Sequence, residues 1–190
     1  DLHLSIRRQR QMCIRDSPPK VLFSEIISGR DWRHAALLAG DKAVRKTLGI
    51  PGFFGGKIVF VGVVQGASEV YTSDLFFGSV RRLTNDRAAC LSPHFSPDGS
   101  FILYTGYFRN GFPDVYRIDQ RTGERTVFAS FRGSNSGATY SPTGTEVALI
   151  LSGSGNAELY RSDSSGRNIV RLTRTEDVVE ADPSWSPDGK

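Results

Sequence analysis

The chain repeats an aromatic–Ser–Pro–x–Gly segment three times, at a constant interval of 45 residues. The copies are Phe95–Gly99, Tyr140–Gly144 and Trp185–Gly189. A period in the forties with a turn in every copy is typical of β-propeller blades. A blade buries both faces of its small sheet only by stacking on neighbouring blades around a central channel. The repeat therefore predicts a mainly β, partial propeller and favours a binding scaffold over an enzyme.

A second repeated segment indicates where the strands of each blade lie. An acidic residue, an apolar residue, a Tyr and a final Asp recur around Tyr71, Tyr116 and Tyr160. A β-branched or aromatic run precedes each copy, which predicts half-buried strands joined by hairpins. A short strand is predicted after each copy, at residues 80–84, 125–129 and 169–173. The predicted blades are residues 57–84, 92–130 and 137–173, and residues 181–190 begin the next. Because closed propellers have at least four blades, we expect the natural protein to continue beyond Lys190.

Residues 18–56 have a different pattern from the blades. Asp31 is a good helix N-cap, and Gly49 followed by Pro51 is a strong stop signal. These signals predict a helix over residues 31–48. The apolar residues 21–23 and 26–27 predict strands. Since so few residues cannot build their own core, we interpret residues 18–56 as the C-terminal part of an α/β domain.

Residues 1–17 fit neither pattern, because they carry four Arg residues and little hydrophobic periodicity. The stretch Gln11–Ser17 resembles translated sequencing-adapter read-through. We interpret the segment as a non-native tail and exclude it from the fold. The alternative is a genuine basic, flexible arm.

Composition excludes several classes of function. The net charge of +4 is scattered along the chain rather than clustered into a basic stripe, which argues against a nucleic-acid partner. Two cysteines, Cys13 and Cys90, provide no disulfide framework. No apolar run approaches the roughly 18 residues that cross a membrane.

The sequence contains no catalytic constellation. Residues 51–57 resemble a phosphate-binding loop but have Ile58 where that motif requires Ser or Thr. Gly133–Gly137 has Asn at the position of the nucleophile in a G-x-S-x-G motif. The three histidines do not have metal-ligand spacing, and Thr143 replaces the turn Asp in one repeat, which argues against calcium. We therefore predict no catalytic residue, no cofactor and no metal.

Residues 20–190 resemble the TolB family, the periplasmic propellers of the Tol–Pal envelope system. The resemblance rests on the segments Asp31–Ala36, Lys46–Phe53 and Gly56–Val61, on the blade motifs, and on the Arg-Leu-Thr triplets Arg82–Thr84 and Arg171–Thr173. The chain departs from the family in lacking its extreme N-terminal segment and about half of its blades. The missing blades include the C-terminal strand that closes the ring.

The resemblance implies an N-terminal α/β domain followed by a six-bladed propeller, with no catalysis. It implies a periplasmic location, with a signal peptide in the missing N-terminus. It also implies binding of the lipoprotein Pal at the channel mouth, and contact with inner-membrane Tol proteins through the missing N-terminal region. The implied role is support of outer-membrane integrity, protein import and envelope constriction at cell division.

The candidate partner-binding residues lie in the loops that lead into each blade, at residues 86–92, 132–138 and 176–182. Short polar loops on a rigid ring suit protein recognition because rigidity lowers the ordering cost of binding. The residues expected to face a partner are Arg132, Ser134, Asn135, Glu180 and Asp182.

Two other interpretations remain at the level of sequence. The propeller could be the gating domain of a prolyl-oligopeptidase-type serine peptidase, which predicts a G-x-S-x-G motif beyond Lys190. It could also be a general module of a signalling or carbohydrate-binding protein. The helix and short link before the first blade disfavour both.

Overall fold

The computed structural model describes residues 23–189 and the backbone of residues 3–4. The remaining residues of the N-terminal tail, the predicted strand residues Val21 and Leu22, and Lys190 lie outside the described residues. The chain forms two compact units, residues 1–58 with 74–78, and residues 59–73 with 79–190.

The first unit contains one helix, α1 (Trp32–Leu48), and an antiparallel pair of short strands, β1 (His3–Leu4) and β2 (Ile27–Ser28). The side chain of Asp31 accepts a hydrogen bond from the His34 N–H at 2.8 Å, as a helix N-cap does. Gly49 ends the helix with a left-handed φ of 71°, a conformation that glycine adopts without strain. The predicted helix is confirmed, whereas Phe23 and Ile26 lie outside the strands.

Most of the second unit is built from three antiparallel sheets in which neighbouring strands follow chain order. The first sheet has three strands, and the next two have four. In the first blade they are β3 (Lys57–Val64), β4 (Ala67–Asp74) and β5 (Arg81–Arg82). In the second they are β6 (Cys90–Phe95), β7 (Phe101–Gly106), β8 (Asp114–Asp119) and β9 (Arg125–Ala129). In the third they are β10 (Asn135–Tyr140), β11 (Glu146–Leu151), β12 (Glu158–Asp163) and β13 (Val170–Arg171).

The blades pack face to face through alternate residues of their central strands. Along β7, Ile102 and Tyr104 belong to one buried cluster, together with Val70 of the first blade. Leu103 points to the opposite face and joins a second cluster with Leu149 of the third blade. Because side chains alternate along a strand, a single central strand contributes to the cores on both sides of its blade.

The Ser-Pro-x-Gly segments at residues 96–99 and 141–144 form tight turns between the first and second strands of the second and third blades. The Asp98 carboxylate accepts hydrogen bonds from the hydroxyls of Ser100 and Ser96, both at 2.6 Å, and these bonds lower its pKa to about 2. Gly99 follows with a left-handed φ of 71°. In the next copy, Thr143 replaces the Asp. The predicted structural role of this motif is confirmed.

The last repeat forms a turn without a preceding strand. The Gly189 N–H donates to the Ser186 carbonyl at 2.9 Å, whereas residues 181–185 are irregular. Trp185 is anchored to the third blade through its indole N–H, which donates to the Thr139 carbonyl at 3.1 Å. No strand is formed at residues 181–185, and the expectation that residues 181–190 begin a further blade stays a prediction.

Candidate partner-binding loops

Three loops join the last strand of one blade to the repeat that follows, and they contain all five residues predicted to bind a partner. Cys90, Asn135 and Glu180 occupy equivalent positions at the end of these loops, 45 residues apart. Cys90 and Asn135 are the first residues of β6 and β10. Since the loops occupy equivalent positions in stacked repeats, they form one series.

The first loop is held from beneath by a buried carboxylate on β4. Glu69 accepts hydrogen bonds from the backbone N–H groups of Asp86 at 3.2 Å and Arg87 at 2.9 Å. It also accepts from the Thr84 hydroxyl at 2.5 Å and from the Arg82 guanidinium at 2.7 Å. Burial raises the pKa of Glu69, but these hydrogen bonds outweigh burial and hold the pKa below its ordinary value.

The third loop is held in the same way from β12. Glu158 accepts from the Thr175 N–H at 2.9 Å, the Thr173 hydroxyl at 2.6 Å and the Arg171 guanidinium at 2.6 Å. The sets Glu69–Arg82–Thr84 and Glu158–Arg171–Thr173 are referred to below as carboxylate clamps. Both glutamate side chains are completely inaccessible to solvent.

The threonine of each clamp explains why the last strands of these blades are so short. Its hydroxyl oxygen accepts a backbone N–H of the neighbouring strand, from Val70 to Thr84 and from Leu159 to Thr173, both at 2.9 Å. A side chain thus replaces the backbone acceptor that a longer strand would supply. The strands expected at residues 80–84 and 169–173 consequently shrink to two residues each.

The second loop has no clamp, because Asp114, Val127 and Ala129 stand where the other blades have Glu, Arg and Thr. Asn135 supports this loop instead. Its amide group donates to the Phe131 carbonyl at 2.8 Å, and its amide oxygen accepts from the Phe131 N–H at 2.8 Å. The Asn135 amide also donates to the carboxylate of Asp114 on β8 at 3.4 Å, so a residue at the loop's own C-terminal end links the loop to the preceding blade.

The five predicted residues differ in their surroundings. The side chain of Asn135 is completely buried and thus supports the loop instead of facing a partner, contrary to the expectation from sequence. Arg132 is exposed, and the Ser134 N–H donates to the Ser152 hydroxyl at 2.7 Å. Glu180 accepts from the Thr175 hydroxyl at 3.1 Å, and exposed Asp182 accepts from the Ser92 hydroxyl at 3.0 Å.

A left-handed residue recurs two positions after each of the equivalent residues Cys90, Asn135 and Glu180. Ser92, Gly137 and Asp182 have φ values of 47°, 60° and 44°. At the first two of these positions the pairing register with the next strand shifts, which is the mark of a β-bulge. Serine and aspartate in this region carry backbone strain. No hydrophobic pattern signals the bulge, and sequence reasoning missed it.

Glu69, Asp86 and Cys90 bring three potential metal ligands within 4.8 Å of one another. Their chemistry does not fit a cation site, because Glu69 is paired with Arg82, and Asp86 with Arg125 at 2.5 Å. Burial also raises the pKa of the Cys90 thiol to about 11, so the thiol stays protonated at neutral pH. The cluster is satisfied by its own ion pairs.

Comparison with known sequences gives one consistent result. The profile of the family described as the TolB beta propeller domain matches residues 44–190. A protein TolB homolog of Chlorobium chlorochromatii is 33% identical over 174 residues, which cover 90% of this chain and 38% of that protein. The Tol-Pal system protein TolB of Desulfosudis oleivorans is 33% identical over 134 residues, covering 70% of this chain and 30% of that protein. The chain thus spans less than two fifths of these relatives.

Solved structures show the same relationship. TolB from Acinetobacter baumannii superimposes with a TM-score of 0.75 at 29% identity, over 89% of this chain and 43% of that chain. The tricorn protease has a TM-score of 0.52 at 19% identity, over 72% of this chain and 14% of that chain, a likeness of fold alone. Within the described residues, no helix is long and apolar enough to cross a membrane.

Proposed function

We propose that this chain is part of a non-enzymatic periplasmic scaffold of the Tol–Pal system. The proposal starts from the fact that the chain belongs to the TolB beta-propeller family. The observation that carries this proposal is the family match over residues 44–190, joined to relatives that bear the Tol-Pal name. The complete protein would have six blades. Inner-membrane Tol proteins would contact the region that precedes the propeller.

The proposed partner is the lipoprotein Pal, bound by the loops at residues 86–92, 132–138 and 176–182. Their supports favour recognition, because loops already fixed by buried hydrogen bonds lose little freedom on binding. Their charges are also distributed unevenly. Exposed Arg87 and Arg132 lie in the first two loops, whereas exposed Glu176, Asp177 and Asp182 lie in the third. Such a division suits a protein partner with complementary charges.

This scaffold would support outer-membrane integrity, protein import and envelope constriction at cell division. A catalytic role has no support in the loops, because their buried acids are occupied by ion pairs and backbone N–H groups. The alternative of a serine-peptidase gating domain rests on the fold that the chain shares with propellers such as that of the tricorn protease.

The test is binding of the complete protein, expressed from its full gene, to the soluble domain of Pal by isothermal titration calorimetry. We expect a one-to-one complex whose affinity falls when Arg132 or Asp182 is replaced by Ala. Arg121→Ala is the matched control, since Arg121 is exposed in the hairpin between β8 and β9. Absence of binding by the unmodified protein would reject the proposal. Hydrolysis of peptide substrates by a downstream domain would instead support the peptidase alternative.

A further inference from the structure

We propose that Glu69 and Glu158 are positioning residues for partner binding, each setting the conformation of the loop that leads into the following repeat. The inference rests on the proposed function, because it assigns the loops to partner binding. It concerns two residues that a partner cannot touch, since both side chains are fully buried.

The first step in the argument is hydrogen-bond capacity. A carboxylate has about four acceptor sites. All four are used in Glu69, where Arg82 and the Arg87 N–H donate to one oxygen and Thr84 and the Asp86 N–H donate to the other. No site remains for a ligand. Glu69 can therefore act on binding only through the loop whose N–H groups it accepts.

The second step is a continuous connection from Glu158 to the predicted binding residues. Glu158 accepts the Thr175 N–H, and the Thr175 hydroxyl lies within hydrogen-bond distance of Glu180, at 3.1 Å. Asn156 donates to the carbonyls of Thr175 and Val178 from the other side. The buried carboxylate thus fixes the backbone at the point from which the side chain of Glu180 is held.

The third step is a contrast within the same molecule. The loop at residues 131–135 receives no hydrogen bond from a clamp and depends on Asn135. Loss of Glu158 should therefore loosen residues 174–180 while residues 131–135 stay as they are. A general loss of stability would affect both loops, so the pair of loops separates positioning from global destabilisation.

The experiment uses Glu158→Gln in the complete protein, with Glu146→Gln as the matched control. Glu146 lies in the same blade and pairs with Arg161 at 3.1 Å, but it is partly exposed and contacts none of the three loops. The readouts are affinity for the soluble Pal domain, amide hydrogen exchange of residues 174–180 and 131–135, and the melting temperature.

We expect Glu158→Gln to weaken binding about tenfold, because one charge-assisted acceptor is lost beneath the loop. We also expect faster exchange at residues 174–180 alone, and neither effect in Glu146→Gln. Binding within twofold of the unmodified protein, or unchanged exchange at residues 174–180, would overturn the inference.

A second variant covers the case in which Glu158→Gln does not fold. Thr175→Val leaves the carboxylate clamp intact and removes the hydroxyl that contacts Glu180 and the Val178 carbonyl. We expect weaker binding at an unchanged melting temperature, and unchanged binding would overturn the inference. If the unmodified protein does not bind Pal, the proposed function fails. Hydrogen exchange in Glu158→Gln would then still decide whether the carboxylate positions the loop.

Discussion

The second and third blades build the same junction in two different ways. In the second blade, β9 has five residues and pairs with β8 through four residue pairs, from Ile118 with Arg125 to Val115 with Ala129. In the third, β13 has two residues, and the Glu158 clamp takes over where the backbone pairing stops. The backbone groups at this junction are hydrogen-bonded to other backbone groups in the second blade, and to side chains in the third.

All three members of the clamp are replaced together in the second blade. A buried Glu at position 114 would face Val127 and Ala129 and would have neither a cation nor a hydroxyl donor at those positions. An unpaired buried charge is strongly unfavourable, whereas a set of apolar residues of suitable shape is not. The second blade accordingly has neither the Arg nor the Thr. Its buried carboxylate, Asp114, accepts instead from the Asn135 amide at 3.4 Å and from the Tyr116 hydroxyl at 3.5 Å.

The largest effect that tests this comparison is expected from Thr84→Val in the first blade. The substitution removes the acceptor of the Val70 N–H and a donor to Glu69, both buried. We expect a loss of about 3 kcal/mol in the free energy of unfolding of the complete protein, measured by urea denaturation. Thr126→Val is the control, because Thr126 is an exposed residue of β9, and it should change stability by less than about 0.5 kcal/mol. Equal effects would show that the clamp has no special role.

Asn135→Ala should have the next largest effect, centred on the second loop. It removes both hydrogen bonds with Phe131 and leaves the N–H and the carbonyl of Phe131, which are partly buried, without these partners. We expect a loss of about 2 kcal/mol, with faster hydrogen exchange at residues 131–135 and unchanged exchange at residues 174–180. Faster exchange in both loops would mean that the two supports are not independent.

A smaller effect is expected from a substitution at Gly137, which tests the backbone conformation of the bulge. Ser92 and Asp182 occupy the equivalent positions. The φ of 60° at Gly137 disfavours a side chain, and an added Cβ would lie 3.1 Å from Cδ of Pro183. We expect Gly137→Ala to destabilise the protein by about 1 kcal/mol in thermal melts, whereas Ser92→Gly should be close to neutral. A neutral Gly137→Ala would show that the bulge is free to relax.

The turns of the two blades should differ in their response to acid. The hydroxyls of Ser100 and Ser96 lower the pKa of Asp98 from an ordinary 3.8 to about 2, so its contribution is present above pH 3.8 and is lost as the pH falls towards 2. Thr143 cannot titrate. We therefore expect Asp98→Thr to reduce the loss of stability between pH 4 and 2, measured by denaturation at each pH. An unchanged acid profile would contradict this assignment.

The sequence was sufficient for the features that depend on local chemistry. Asp31 and Gly49 mark the ends of α1, and the Ser-Pro-x-Gly segments mark the hairpins, because caps and turns need particular residues at particular positions. The alternating residues around Tyr116 and Tyr160 likewise locate β8 and β12.

Features that depend on contacts distant in sequence could not be obtained in this way. Hydrophobic periodicity predicted five-residue strands at residues 80–84 and 169–173. Backbone pairing stops earlier because the hydroxyls of Thr84 and Thr173 accept the N–H groups of residues 14 positions away in the sequence. Asn135 was expected to face a partner because polar loop residues are usually exposed. Its burial follows from the carbonyls that converge on its amide, and the contact of Ser92 with Asp182 spans 90 residues.

The clamps also bear on how such a protein can be recombined. Glu69 lies on β4, the last strand but one of its blade, but accepts N–H groups from the loop that leads to β6 in the next blade. The unit that would have to be inherited intact is therefore offset from the visible blade. It begins on the last strand but one of a blade and ends on the first strand of the next. A chimera joined between whole blades would separate each carboxylate from its loop. One joined after β6 or β10 would keep them together.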